Sequence, residues 1–134
     1  MVAEALNGLL WRDKEENLYK GFKVGSNNVD VSILQYADDT IFLGEVTMEN
    51  AKAIKTILRT FELVSSLKIN FAKSGFGAFG VTTQWKQHAT KYLNCGLLTF
   101  PLVYLGIPIG ANPRRRHMWD SIIQKCERKL AKWK

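Results

Sequence analysis

The chain has only two cysteines and three prolines in 134 residues, and no apolar run near the roughly 20 residues that span a bilayer. Its N-terminus lacks the basic start and unbroken apolar stretch of a secretion signal, because Glu4 and Asn7 interrupt it. The expected setting is therefore intracellular, nuclear or cytoplasmic, without secretion and without a membrane partner. Cys95 and Cys126 are then expected as reduced, mostly buried thiols. They and the two histidines, His88 and His117, lack zinc-finger spacing, so a structural zinc site is not expected.

What is present is an ordinary globular composition, 46% hydrophobic and 23% charged, in a length that suits one domain. The charge is uneven. Of the net +7, the segment 113–134 carries +6, from eight basic residues against two acids, and residues 1–112 carry only +1. A positive field gathered at one end suits a polyanion.

Val2, Leu6, Leu9 and Leu10 recur at helical spacing, with no capping signal ahead of them, as if the helix had been cut into. Gly21 and Gly25 to Asn28 punctuate a turn or short loop. Val29, Val31 and Ile33 alternate with Asp30, Ser32 and Leu34, the period of a strand, and Ile41-Phe42-Leu43 forms a second apolar run. Tyr36-Ala37-Asp38-Asp39 lies between them, which places both aspartates at the tip of a hairpin flanked by buried strands.

Thr47 is positioned to cap a helix whose Ile54, Ile57, Leu58, Phe61 and Val64 share a stripe. Leu67, Ile69 and Phe71 predict another strand, and Ser74 to Gly80 a loop. Trp85, Ala89, Tyr92 and Leu93 predict a short helix stopped by Gly96. Leu102 to Ile109 predicts an edge hairpin. Pro113 then opens a last helix with Trp119, Ile122, Ile123, Cys126, Leu130 and Trp133 on one face, the two tryptophans in the core.

Adjacent carboxylates on a rigid tip are suited to Mg²⁺, a hard cation that takes one or two carboxylates plus phosphate oxygens. Two-metal phosphoryl transfer requires such a fixed cluster. The dipeptide alone would equally serve as a simple turn.

The run Leu34 to Thr40 resembles the Tyr-x-Asp-Asp turn of reverse transcriptases, in the form found in plant LINE-type (non-LTR) retrotransposons. The helix from Asn50 to Val64 followed by Leu67 to Ser74 is similar to the family's next palm motif. Tyr104 to Gly110 is similar to its primer-grip region, and Val2 to Asn7 to the end of the helix after its nucleotide-contacting loop. The likeness covers essentially the whole chain.

That resemblance implies an α+β fold. A partial polymerase palm, a β-hairpin with packed helices, would occupy 1–112, and a basic helix at the start of the thumb 113–134. It implies RNA-directed DNA polymerase activity in a parent enzyme, with Mg²⁺ or Mn²⁺, an RNA template, a DNA primer and a deoxynucleoside triphosphate. Asp38 becomes the principal metal ligand, Asp39 the second carboxylate, and Tyr36 the floor under primer terminus or nucleotide. Lys68 or Lys73 is placed near the triphosphate, or is simply solvated. Gly106 lets backbone approach the primer, or permits a tight turn. Arg114, Arg115 and Arg116 track the nucleic-acid backbone, or form a solvated face.

The family supplies a further aspartate from an upstream strand. Asp30 is a poor replacement, being eight residues or ~26 Å of extended chain from Asp38, and Glu45 is similarly remote. An open hairpin edge and weak or absent polymerase activity from the chain alone are therefore expected. The alternatives are a non-catalytic nucleic-acid-binding module and a translated transposon relic.

Overall fold

The structure is a computed structural model that describes residues 2–133, except for the side chain of Val2. It is mixed α+β, as expected, with two compact units that divide between Gly96 and Leu97. Among the described residues no helix is long and apolar enough to cross a membrane.

The first unit begins with α1 (Val2–Glu15), which contributes Leu6 and Leu10 to the core. Two hairpins follow. β1 (Phe22–Val24) pairs antiparallel with β2 (Val29–Val31), and β3 (Ile33–Tyr36) with β4 (Asp39–Phe42). β1 falls where only a loop was expected. The turn itself uses Gly25 and Asn28 at positive φ, a conformation that glycine and asparagine tolerate best.

α2 (Met48–Ser65) starts where Thr47 predicts, its Oγ1 accepting the Asn50 N–H at 3.2 Å. Ile57 and Phe61 are buried against Leu6, Leu10 and Tyr19, and Ile54 and Leu58 pack at the margin. Val64, the last residue of the expected stripe, is instead 80% exposed, because nothing described covers the final turn. The helix ends at Ser66 in the left-handed region, whose N–H donates to Glu62 O.

The strand expected over Leu67 to Phe71 does not form. Among the described residues it has no neighbouring strand, and its donors turn to local acceptors. Leu67 N–H donates to Ser65 Oγ, Ile69 N–H to a Glu62 carboxylate oxygen at 2.8 Å, and Phe71 N–H to Ile69 O. Ile69 still reaches the core. After β5 (Gly75–Phe76), α3 (Thr83–Leu93) is capped by Thr82 and buries Ala89 and Leu93. Asn94, at φ 57°, stops it, two residues before the Gly96 expected to do so. Lys55 of α2 ties the two helices, its Nζ donating to Tyr92 O at 2.8 Å and lying over the Tyr92 ring. β6 (Gly96–Leu97) begins with the Gly96 N–H donating to Ser74 O.

The second unit holds the expected hairpin, β7 (Leu102–Tyr104) with β8 (Ile107–Ile109). Pro113 does not open the last helix. Asn112 Oδ1 accepts the Arg114 N–H and its carbonyl the Arg115 N–H, which makes a turn. A 3₁₀ turn (Arg116–Trp119) then leads into α4 (Asp120–Ala131). The α4 stripe is not core either: Trp119 is more than a third exposed and Trp133 is 90% exposed. Cys126 lies exposed on the same face, and Cys95 is only half-buried, contrary to the buried thiols expected.

Candidate metal-binding turn and basic segment

Cross-strand pairing sets the geometry of the paired aspartates. Tyr36 is the Cα partner of Asp39, so the loop between β3 and β4 is only Ala37 and Asp38. Ala37 stands at φ 50°, the left-handed backbone that such short hairpin loops demand and that glycine usually supplies. Asp38 is therefore the apex of the turn and Asp39 the first residue of β4, both exposed.

The strands are less buried than expected. Ile33 and Phe42 pack on the core, but Leu34 and Tyr36 on the other face stand open, Tyr36 at 61% exposure. Among the described residues the hairpin is two-stranded, without a third strand along either side. Its open end is tied down by Leu43 N–H donating to Ser32 O at 2.9 Å.

Two hard carboxylates at an exposed tip match the donor chemistry of Mg²⁺ or Mn²⁺, although among the described residues no three acidic, histidine or cysteine side chains converge as a complete metal-holding group. Asp30 is committed elsewhere, which strengthens the case against it as a substitute. Its carboxylate accepts from Lys14 Nζ at 2.5 Å, Ser32 Oγ at 2.7 Å and Lys23 Nζ at 3.0 Å. The hydrogen bond from Lys14, followed by those from Ser32 and Lys23, holds its pKa well below the usual carboxylate range. Glu45 is outside the turn, and its carbonyl accepts from Asn50.

The other expected site residues belong to other segments. Lys68 and Lys73 are exposed on the irregular stretch after α2. Gly106 belongs to the second unit, where it and Leu105 form the β7–β8 loop at φ 79° and 52°. A Cβ at Gly106 would meet nothing nearer than Lys125 Nζ at 3.9 Å, so the need for glycine is conformational and agrees with the tight-turn role. Arg114, Arg115 and Arg116 are exposed ahead of α4. At 100° per residue the apolar stripe of α4 is flanked on one side by Lys125, Arg128, Lys129 and Lys132, and on the other by Asp120 and Glu127.

Sequence reasoning missed the residues that anchor the hairpin, Tyr19 and Asn50. Tyr19 is buried, which pushes its hydroxyl acidity weaker than usual, and its Oη donates to Leu43 O. Asn50 resembles an ordinary first-turn helix residue, and its partner Lys20 is 30 residues away. No local signal marks either one. Compared with family models, curated proteins and solved structures, the chain matches none of them.

Proposed function

We propose that this chain is part of the palm of an RNA-directed DNA polymerase of the non-LTR retrotransposon type, continuing into a basic thumb segment. The observation that carries the reading is the two-residue turn that presents Asp38 and Asp39 to solvent, with Tyr36 directly across from Asp39. A divalent cation held there would supply charge neutralisation at the attacking and leaving oxygens of nucleotidyl transfer. Asp38 would be its principal ligand and Asp39 the second.

On this reading Tyr36, whose ring is open on the uncovered face of the hairpin, would support the primer terminus or nucleotide. Lys68 or Lys73 would meet the triphosphate, and Gly106 would lie at the primer grip. Arg114 to Arg116 would follow the template–primer backbone by sequence-independent charge contacts. The copying reaction belongs to a parent enzyme that completes the carboxylate set, and the chain alone is expected to copy weakly or not at all.

The direct test is a Mn²⁺ titration followed by paramagnetic broadening of backbone amides. Broadening centred on residues 36–40 in the wild type, weakened in Asp38→Asn, is the expected result. Equal Mn²⁺ affinity in wild type and Asp38→Asn would remove the metal-binding role. A second reading, a non-catalytic nucleic-acid-binding module, is favoured by the exposed basic run and basic flank of the second unit. It predicts RNA or DNA affinity that is indifferent to Asp38→Asn.

A further inference from the structure

The end of β4 is held by a closed polar cage. Leu43 takes part in two bonds: its N–H donates to Ser32 O at 2.9 Å, and its carbonyl accepts from Tyr19 Oη at 2.5 Å. Two residues on, Glu45 N–H donates to Lys20 O at 3.0 Å. Asn50, 4% exposed in the first turn of α2, closes the arrangement with its side-chain amide. Its Oδ1 accepts the Lys20 N–H at 2.8 Å, and its Nδ2 donates to Lys20 O at 2.7 Å and Glu45 O at 2.9 Å. The carboxamide therefore pairs with Lys20 as a neighbouring strand would, and with Glu45 as well.

The cage leaves no room at Gly44. A Cβ there would come within 2.6 Å of Tyr19 Oη, 2.7 Å of Lys20 O and 2.8 Å of Asn50 Nδ2. Unlike Gly106, this glycine is required by close approach. Both polar atoms of the Asn50 side chain are engaged, and among the described residues no buried side-chain polar atom is left unpaired. A satisfied buried network of this kind favours one arrangement over its neighbours.

Its location gives that rigidity a use. Among the described residues β3 and β4 have no third strand, and a lone two-stranded hairpin is marginal in water. The cage grips the chain at Leu43 to Glu45, and Leu43 is four residues, or ~13 Å of extended strand, from Asp39. We infer that Asn50 is a positioning residue for the Asp38–Asp39 turn, locking the base of its hairpin to the α1–β1 connection and to the start of α2. The inference rests on the metal-binding reading of that turn for its functional meaning, but the locking itself is measurable without metal.

Asn50→Asp keeps the shape and removes the Nδ2 donors, leaving Lys20 O with only the Glu45 N–H and Glu45 O with only the Thr47 N–H, and setting a carboxylate oxygen against both carbonyls. Tyr19→Phe removes only the bond to Leu43 O. Both are compared with wild type by amide hydrogen exchange and by Mn²⁺ titration of the full chain. Exchange at Leu43 and along the β3–β4 ladder should speed up about tenfold or more, while Ile57 and Phe61 in the middle of α2 change little. Mn²⁺ broadening at residues 36–40 should need a higher concentration in the same variants. An equal loss of protection at Leu43, Ile57 and Phe61 would make Asn50 merely structural, and unchanged protection at Leu43 would overturn the inference outright. If Asn50→Asp does not fold, Tyr19→Phe decides by the same comparison. If the wild type shows no Mn²⁺ effect, the metal reading fails and the exchange pattern alone decides the lock.

Discussion

Tyr36 stands directly across the hairpin from Asp39, and that pairing makes Asp38 the apex of a two-residue turn. A one-residue slip in register would transfer Ile33 and Phe42 away from the core, so the burial of that pair also fixes where the aspartates point.

The turn has a backbone cost at Ala37, whose φ of 50° is disfavoured by its Cβ. Replacing it with glycine removes the clash but adds unfolded-state freedom. Ala37→Gly is expected to stabilise the chain by about 0.5–1 kcal/mol in urea unfolding. A lower urea midpoint would mean the surroundings already favour the alanine conformation.

Asp30 should make the fold acid-sensitive. Its carboxyl is held below the usual range in the folded state by Lys14, Ser32 and Lys23. A depressed folded pKa gives stability that is present above the unfolded value, about 3.9, and is lost as pH falls through and below it. Asp13 acts with the opposite sign, because burial and the charge of Glu16 raise its pKa. The urea midpoint of the wild type should fall between about pH 5 and pH 3, and Asp30→Asn should flatten that fall. An identical acid limb in the variant would show that the lysine pairs contribute nothing.

Gly106 and Leu105 both stand at positive φ in the β7–β8 loop. Since the space around Gly106 is open, Gly106→Ala should cost only the conformational penalty, about 1 kcal/mol. Gly106→Asn should restore part of it, because asparagine tolerates this region. Faster amide exchange over Leu102 to Ile109 in the alanine variant, partly reversed in the asparagine variant, is the expected pattern. Equal behaviour of the two variants would point to a steric cause instead.

The basic segment should bind nucleic acid by charge. Replacing Arg114, Arg115 and Arg116 together with glutamine should weaken RNA binding and make it less sensitive to salt. The slope of log affinity against log salt should shrink by up to about 0.9 for each phosphate no longer neutralised on a duplex, and about 0.7 on a single strand. Fluorescence anisotropy at several salt concentrations measures it. An unchanged slope would leave these arginines as a solvated face.

Local features were legible before the fold was known. Thr47 caps α2 because its hydroxyl needs only the N–H three residues on. The hairpins at Tyr36–Asp39 and Leu102–Ile109 follow from short-range alternation and turn chemistry. Where the reading failed, the deciding partner was distant or missing. Leu67 to Phe71 has strand alternation but no strand among the described residues to pair with, so Glu62 and Ser65 satisfy its backbone instead. The stripe of α4 has helical period, yet period cannot say whether another surface covers it, and Trp133 is left in solvent.

The sequence by itself determined the order of most elements, the exposed aspartate turn and the positive end of the chain, because these depend on neighbours within a few residues and on summed charge. Only the tertiary structure decided which apolar faces are buried, how Asp30 is engaged, and how Asn50 and Tyr19 hold the base of the aspartate hairpin. Those depend on contacts between residues as far apart as Lys20 and Asn50, whose pairing exists only once α1, β4 and α2 have packed together.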